Sequence, residues 1–362
     1  MNNADPQPEY WTQYGAFQQV KHDLIRHYLN GWFPKLATWT GRVLYVDTHA
    51  GRGRHRSGEM GSPLVALKTL LDHSYRDQLL QKSEVRFLFI ERDGENLVRL
   101  KAELNTIGDL PSGIHVDMRG GDSYAVLSEI IDMLEASGRA MAPAFVFVDP
   151  YGFKVPWPLL ARLMAAGRVE LFVNVIWREL GMAVQQRPSP GHGLAKTLDD
   201  IFAGSDWRRI GGDDALERMH DAAELISDLV GAKWDTRIRM TTGGSAIRYI
   251  LLHLTNHDQG RDLMKECAWK VAPDGSFEVL QRDNPKQPLL VTPSPDLTSL
   301  RTWVIELLRQ QPRSRENLRH ALRSELWLPT HLNQVVRKLL DRREIEEDGA
   351  GNLSPAAQRL LW

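Results

Sequence analysis

The sequence predicts an α/β fold: a mostly parallel sheet with helices on both faces, a helical insertion and a small C-terminal helical domain. Three observations predict it. Short apolar runs at residues 43–47, 85–91, 144–149 and 169–175 read as buried parallel strands. Helical stretches alternate with these runs, the order that builds a parallel sheet. Each run also carries a polar residue at or beside its end: Asp47, Glu91, Asp149 and Asn174. Ligand sites of open α/β sheets lie at that rim.

Along the chain, residues 16–37 form an amphipathic helix with Val20, Leu24, Ile25, Tyr28, Leu29 and Trp32 on one face, stopping at Pro34. After the first strand, Ser62 and Pro63 supply an N-cap and a first-turn proline for a helix through Leu64, Leu67 and Leu71. Further helices are expected at 95–104, 124–137 and 158–166, with a short strand at 114–119. The strand rhythm is lost over 178–230, where helices at 194–202 and 216–230 read as an insertion that covers the rim. Candidate strands at 248–255 and 269–271, with a helix at 259–267 between them, finish the sheet. Four prolines make 282–298 a linker. Residues 300–309, 315–323 and 330–340 repeat a helical period, and a hairpin follows at 345–353, the pattern of a winged helix. The expected domains are therefore an N-terminal helical segment (1–40), a Rossmann-like domain (41–281) with its insertion, the linker, and a winged-helix domain (299–362).

Bulk properties narrow the function. At 362 residues the chain is long enough for two domains, and a net charge of −1 makes any polyanion site a local patch. The single cysteine, Cys267, excludes an internal disulfide framework and a cysteine-rich metal site, and no metal site is expected. His253 and His257 have no Glu or Cys at ligand spacing and read as structural. With no apolar run of 18 residues and no signal-like start, a cytoplasmic protein without a membrane segment is expected.

The most informative stretch runs from Val43 to Gly53, where a buried strand enters a glycine turn. Gly51 and Gly53 let backbone approach a ligand, with Asp47 beneath the turn and Ala50 within it. The spacing Asp-x-x-x-Gly-x-Gly looks like the first motif of S-adenosylmethionine (SAM) dependent methyltransferases. On that reading Glu91 accepts from both ribose hydroxyls; otherwise it meets Arg92 or Lys101. Asp122, after Gly120 and Gly121, accepts from an adenine amine or caps the helix that follows it; both roles can coexist. Asp149, Pro150 and Tyr151 are the catalytic candidates. A carboxylate and a proline-fixed carbonyl can take the two hydrogens of an acceptor amine while an aromatic ring stacks on its base. Asp-Pro-Tyr-Gly is equally a turn sequence. In the C-terminal domain Thr330, His331, Asn333, Gln334 and Arg337 are placed for contacts in a nucleic-acid groove. Eleven Lys/Arg stand there against eight Asp/Glu, only a mild basic excess, and a protein-interaction role is the rival.

With these residues in place, the chain resembles the three-Cys-motif partner protein family (TcmP). The resemblance rests on Lys21, Tyr28 and Trp32, on the run from Tyr45 to Arg54, and on Gly58-Glu59-Met60-Gly61-Ser62-Pro63-Leu64. It continues through Ile90-Glu91, Gly121-Asp122, Phe147-Val148-Asp149-Pro150-Tyr151-Gly152, Val173-Asn174 and Leu254-Thr255-Asn256-His257. It implies a methyltransferase-like fold and a partner bearing three cysteines, an iron–sulfur protein of radical-SAM character. The family has an aromatic where His49 stands and a proline where Arg52 stands. The expectation is thus a SAM-dependent methyltransferase acting on nucleic acid, in DNA modification or repair. Two other classes stay open: a non-catalytic accessory subunit of the three-cysteine partner, and a nucleic-acid-binding module with a vestigial cofactor site.

Overall fold

The alternation of buried strands and helices folds into one mostly parallel eight-stranded sheet with helices around it, a Rossmann-like α/β arrangement. The computed structural model describes residues 14–242, 246–280 and 295–356. Up to residue 294, the expected linker at 282–298 lies outside these residues. Described residues up to 263, together with 278–280, form one compact unit; 264–277 and those from 295 onward form a second.

The first unit begins α1 (Ala16–Thr40), β1 (Arg42–Asp47), α2 (Ser62–Leu71), α3 (Arg76–Leu80), β2 (Glu84–Glu91), α4 (Gly94–Asn105) and β3 (Ile114–Gly120). It continues with α5 (Ser123–Ser137), β4 (Met141–Val148), α6 (Trp157–Ala165), β5 (Gly167–Val175), α7 (Trp177–Gln185), α8 (Gly193–Phe202) and a 3-10 turn at Ser205–Arg209. Then come α9 (Ala215–Val230), β6 (Trp234–Thr242), β7 (Ala246–Thr255), α10 (Asp258–Val271) and β8 (Glu278–Leu280), the residues of α10 from 264 on belonging to the second unit. Strand order across the sheet is β3-β2-β1-β4-β5-β7-β6-β8. The first five strands pair in parallel, and β7 runs antiparallel to β5 and β6. The order therefore reverses between β1 and β4, which opens a crevice beyond their carboxyl ends.

Both faces of the central strands are covered, as their continuous apolar runs require. On one face α1 buries Leu24, Ile25, Tyr28, Leu29, Trp32 and Phe33. Tyr28 and Trp32 pack on Phe145, and Tyr45 stacks on Phe145 with ring centroids 6.1 Å apart. Beneath them the buried Glu170 carboxylate accepts from Trp32 Nε1 (2.8 Å), His253 Nε2 (3.2 Å) and the Tyr28 hydroxyl. On the other face Trp157, Leu160, Trp177, Leu180, Trp207 and Ile226 join one core cluster with β4 and β5.

Two local expectations are corrected. Helix α1 continues past Pro34 to Thr40. One missing backbone donor does not end a helix whose Trp32 and Phe33 are locked in the core, and the stop comes at Gly41, in the left-handed conformation at φ 70°. Residues 269–271, expected as a strand, are the last turn of α10. The strand that stands in its stead is β6, whose alternation carries Thr236, Ile238 and Met240 inward.

The second unit adds α11 (Thr298–Gln310), β9 (Arg313–Ser314), α12 (Arg315–Ala321), α13 (Pro329–Asp341), β10 (Ile345–Glu347) and β11 (Asn352–Pro355), with a three-stranded antiparallel sheet in the order β10-β11-β9. Leu300, Val304, Leu318, Leu332, Val336 and Leu353 contribute to its core. Lys265 is buried within it, its ammonium donating to the carbonyls of Leu322, Arg323, Glu325 and Trp327 at 3.1–3.4 Å. Among the described residues no helix is long and apolar enough to cross a membrane.

Candidate functional site

The site starts from the turn after β1. Thr48 N–H donates to the Phe147 carbonyl of β4 at 3.0 Å, and Ala50 N–H to the Ile90 carbonyl of β2 at 2.9 Å. The turn is thus bonded to the strands on both sides of β1. Gly51 and Gly53 have φ values of 64° and 85°, which side chains rarely adopt. A Cβ on Gly53 would also stand 3.1 Å from Leu100 and 3.2 Å from Glu103 of α4. Glu91, ending β2, closes the turn: Oε2 accepts from Gly51 N–H (2.7 Å) and Oε1 from Asp93 N–H (2.8 Å).

Beyond these strand ends lies a cleft of about 870 Å³. Glu91, Arg92, Asp93 and Asn96 form one wall, Gly121, Asp122, Ser123 and Tyr124 a second, and Pro150, Tyr151, Gly152, Phe153, Lys154 and Glu179 a third; Thr48 and His49 lie among them. Asp122 caps α5, its Oδ1 accepting from Tyr124 and Ala125 N–H at 3.0 and 3.1 Å. The Tyr124 hydroxyl is buried with no hydrogen-bond partner. His49 bonds the Thr48 hydroxyl through Nδ1 (2.8 Å) and the Ser123 hydroxyl through Nε2 (3.3 Å). Burial pulls its imidazole down to about 4, so the ring is neutral near pH 7.

Asp47 and Asp149 are set back from this wall. Asp47 is fully buried; Oδ1 accepts from His49 N–H at 3.2 Å and Oδ2 has no hydrogen-bond partner. Burial pushes its carboxyl up to about 7, against the opposing pull of the Ser62 hydroxyl and the His49 N–H. Asp149 has both oxygens engaged: Oδ2 takes Lys21 Nζ at 2.5 Å and Oδ1 takes Asn174 Nδ2 at 2.6 Å. Burial alone would raise its pKa, yet the Lys21 charge and these two bonds hold it below the ordinary value.

The structure therefore brings Glu91, Asp122, Pro150 and Tyr151 to one cleft. Asp47, Ala50, Gly51, Gly53 and Asp149 support it from behind. Lys21, open in sequence between a solvated lysine and one that reaches an anion, pairs with Asp149, 128 residues away. His49, Tyr124 and Glu179 also went unassigned. The interval of two between Asp122 and Tyr124 was the legible signal for Tyr124, since a cap fixes the residues that follow it. In the second unit Thr330, Asn333, Gln334 and Arg337 are exposed on α13. His331 is not: its Nδ1 accepts from Leu328 N–H at 3.3 Å and its ring lies edge-on to Trp269, centroids 4.3 Å apart.

No family model and no curated protein matches the chain. Solved structures do. Protein LPL1258 of Legionella pneumophila is 14% identical over 65% of this chain and 85% of its own, with a TM-score of 0.35. A putative caffeoyl-CoA O-methyltransferase of Staphylococcus aureus is 9% identical over 59% and 76%, with a TM-score of 0.28. The cyclopropane synthase MmaA2 of Mycobacterium tuberculosis is 12% identical over 70% and 69%, again at 0.28. Scores this low carry no argument about the chain, whose fold is read from its own strand order.

Proposed function

We propose that this chain is a SAM-dependent, methyltransferase-like protein of the cytoplasm that acts on nucleic acid together with a three-cysteine partner of the kind its TcmP-like motifs imply. One observation carries the reading: Glu91, Asp122, Pro150 and Tyr151 wall a single cleft at the point where strand order reverses.

The residues present fit the cofactor. Each oxygen of Glu91 takes one backbone N–H and keeps a lone pair for a ribose hydroxyl. Asp122 caps its helix through Oδ1, which leaves Oδ2 for the adenine amine. The buried, unpartnered Tyr124 hydroxyl on the cleft wall is a polar atom that a ligand would satisfy. When bound, SAM supplies an electrophilic methyl group. The protein's own part is positional: Tyr151, 52% exposed, is a platform for a base, and the Pro150 carbonyl accepts from its amine. Exposed Thr330, Asn333, Gln334 and Arg337 would hold the polyanion.

Calorimetry tests this directly. Binding of SAM in the micromolar range, with labelled methyl appearing in DNA or RNA, supports the reading; no heat at millimolar SAM removes it. A second reading has its own support. Both Asp149 oxygens are already engaged, which suits a non-catalytic accessory subunit. SAM binding without methyl transfer to either pool would favour it.

A further inference from the structure

Lys21 has a cost that docking α1 does not explain. Its side chain is only 8% exposed, and lysines are almost never so buried unless paired. The helix is already anchored one and two turns later by Leu24, Ile25 and Tyr28, and by the Tyr28 and Trp32 bonds to Glu170. What Lys21 adds is a hold on a single carboxylate. Asp149 stands between strand β4 and the cleft-wall residues Pro150, Tyr151, Gly152 and Phe153. Its two oxygens are gripped from different elements, Oδ2 by Lys21 of α1 and Oδ1 by Asn174 of β5. That fixes the carboxylate plane, and with it the chain entering Pro150. Proline then passes the setting on, since its φ is locked and the residue before it is confined to extended backbone.

We propose that Lys21 is a positioning residue, which orients the Asp149 carboxylate and through it the Pro150–Tyr151 wall of the cleft. The inference deepens the methyltransferase reading and rests on it for its meaning, but the geometry is testable without any substrate. Other titratable groups that face Asp149 are His22 on α1, Tyr45 and Asp47 on β1, and His49 in the turn.

The test uses the full chain with carboxyl-labelled aspartate and fluorinated tyrosine, read by NMR in wild type, Lys21→Met, Lys21→Arg, Asp149→Asn and the double variant Lys21→Met/Asp149→Asn. Lys21→Met should raise the proton affinity of Asp149 about tenfold or more, the ordinary effect of losing an adjacent cation. It should also move the Tyr151 resonance, and Lys21→Arg should restore both. Asp149→Asn should move Tyr151 in the same way, with nothing further in the double variant. Unchanged Asp149 and Tyr151 signals in Lys21→Met overturn the proposal, as does a Tyr151 shift that persists when Asp149 is already Asn. If Lys21→Met does not fold, Asp149→Asn and Lys21→Arg decide alone: an unmoved Tyr151 in Asp149→Asn overturns it. SAM calorimetry on the same samples separates the two ideas. A wild type that binds no SAM, with variants that show these shifts, keeps the role of Lys21 and loses the methyltransferase.

Discussion

Asp47 ends β1 and Asp149 follows β4, the strand paired beside it, yet burial leaves the two carboxyls in opposite states. Asp47 has a backbone N–H on one oxygen and, apart from the nearby Ser62 hydroxyl, no cation or amide on the other, so desolvation wins and its carboxyl rises to about 7. Asp149 has an ammonium on one oxygen and an amide on the other, so partners win and it stays ionised. Glu170 repeats the second case deeper in the sheet, where His253, Tyr28 and Trp32 outweigh the cost of burial. What separates these sites is the donor count, since the fold removes water from all three.

Breaking the paired site is the largest effect expected. Lys21→Met leaves Asp149 buried without its counter-charge, and losing one partner of a buried pair costs about 3–5 kcal/mol. Urea unfolding at pH 7 measures it. A loss below about 1 kcal/mol would mean that water already serves Asp149 and that the contrast with Asp47 is false.

The orphaned site is tested by pH. The folded pKa of Asp47 is raised, so its stabilising contribution is complete below the unfolded value near 4 and is lost as pH rises through about 7. The shift of about three units corresponds to at most about 4 kcal/mol between pH 4 and pH 8. Asp47→Asn should flatten the stability profile across that window. Asp149, lowered, behaves oppositely: its contribution is present above the unfolded pKa and fades only as pH falls below about 4. Asp149→Asn should therefore leave the slope between pH 5 and 8 unchanged. Equal slopes in the two variants would erase the distinction.

This contrast marks where the sequence could be read and where it could not. Strand ends and glycine turns are local, so Asp47, Gly51, Gly53, Glu91 and Asp122 were legible as one rim from chain order alone. Whether a carboxylate there is bare or paired depends on α1, folded back across the sheet, and no local pattern records that Lys21 reaches Asp149. The same limit explains residues 269–271, apolar enough for a strand but continuous with the helical period of α10. It explains His331 too, exposed by helical phase yet turned inward by its bond to Leu328 and its contact with Trp269. Strand β6 is different. Its alternation was visible, and only the helical stretch before it hid the signal.

A smaller effect separates charge from amide at Asp149. Asn174→Ala removes the bond to Oδ1 and leaves Lys21 in place, and a hydrogen bond to a charged group is worth about 1.5–3 kcal/mol. The expected loss lies below that of Lys21→Met, read by the same urea midpoints. If Asn174→Ala costs as much, orientation of the carboxylate matters more than its neutralisation.

The smallest change falls on Ser62, the hydroxyl that pulls against burial at Asp47. Ser62→Ala should raise the Asp47 pKa further, which deepens the penalty only where the carboxyl ionises. Stability at pH 5 should hold, and at pH 8 it should fall by about 0.5–1.5 kcal/mol, the worth of one ordinary hydrogen bond. Ser62 also opens α2 directly after Gly61, so a purely structural hydroxyl would cost the same at both pH values. A pH-independent loss would therefore assign Ser62 to the helix start and leave Asp47 with the His49 N–H as its one counterweight to burial.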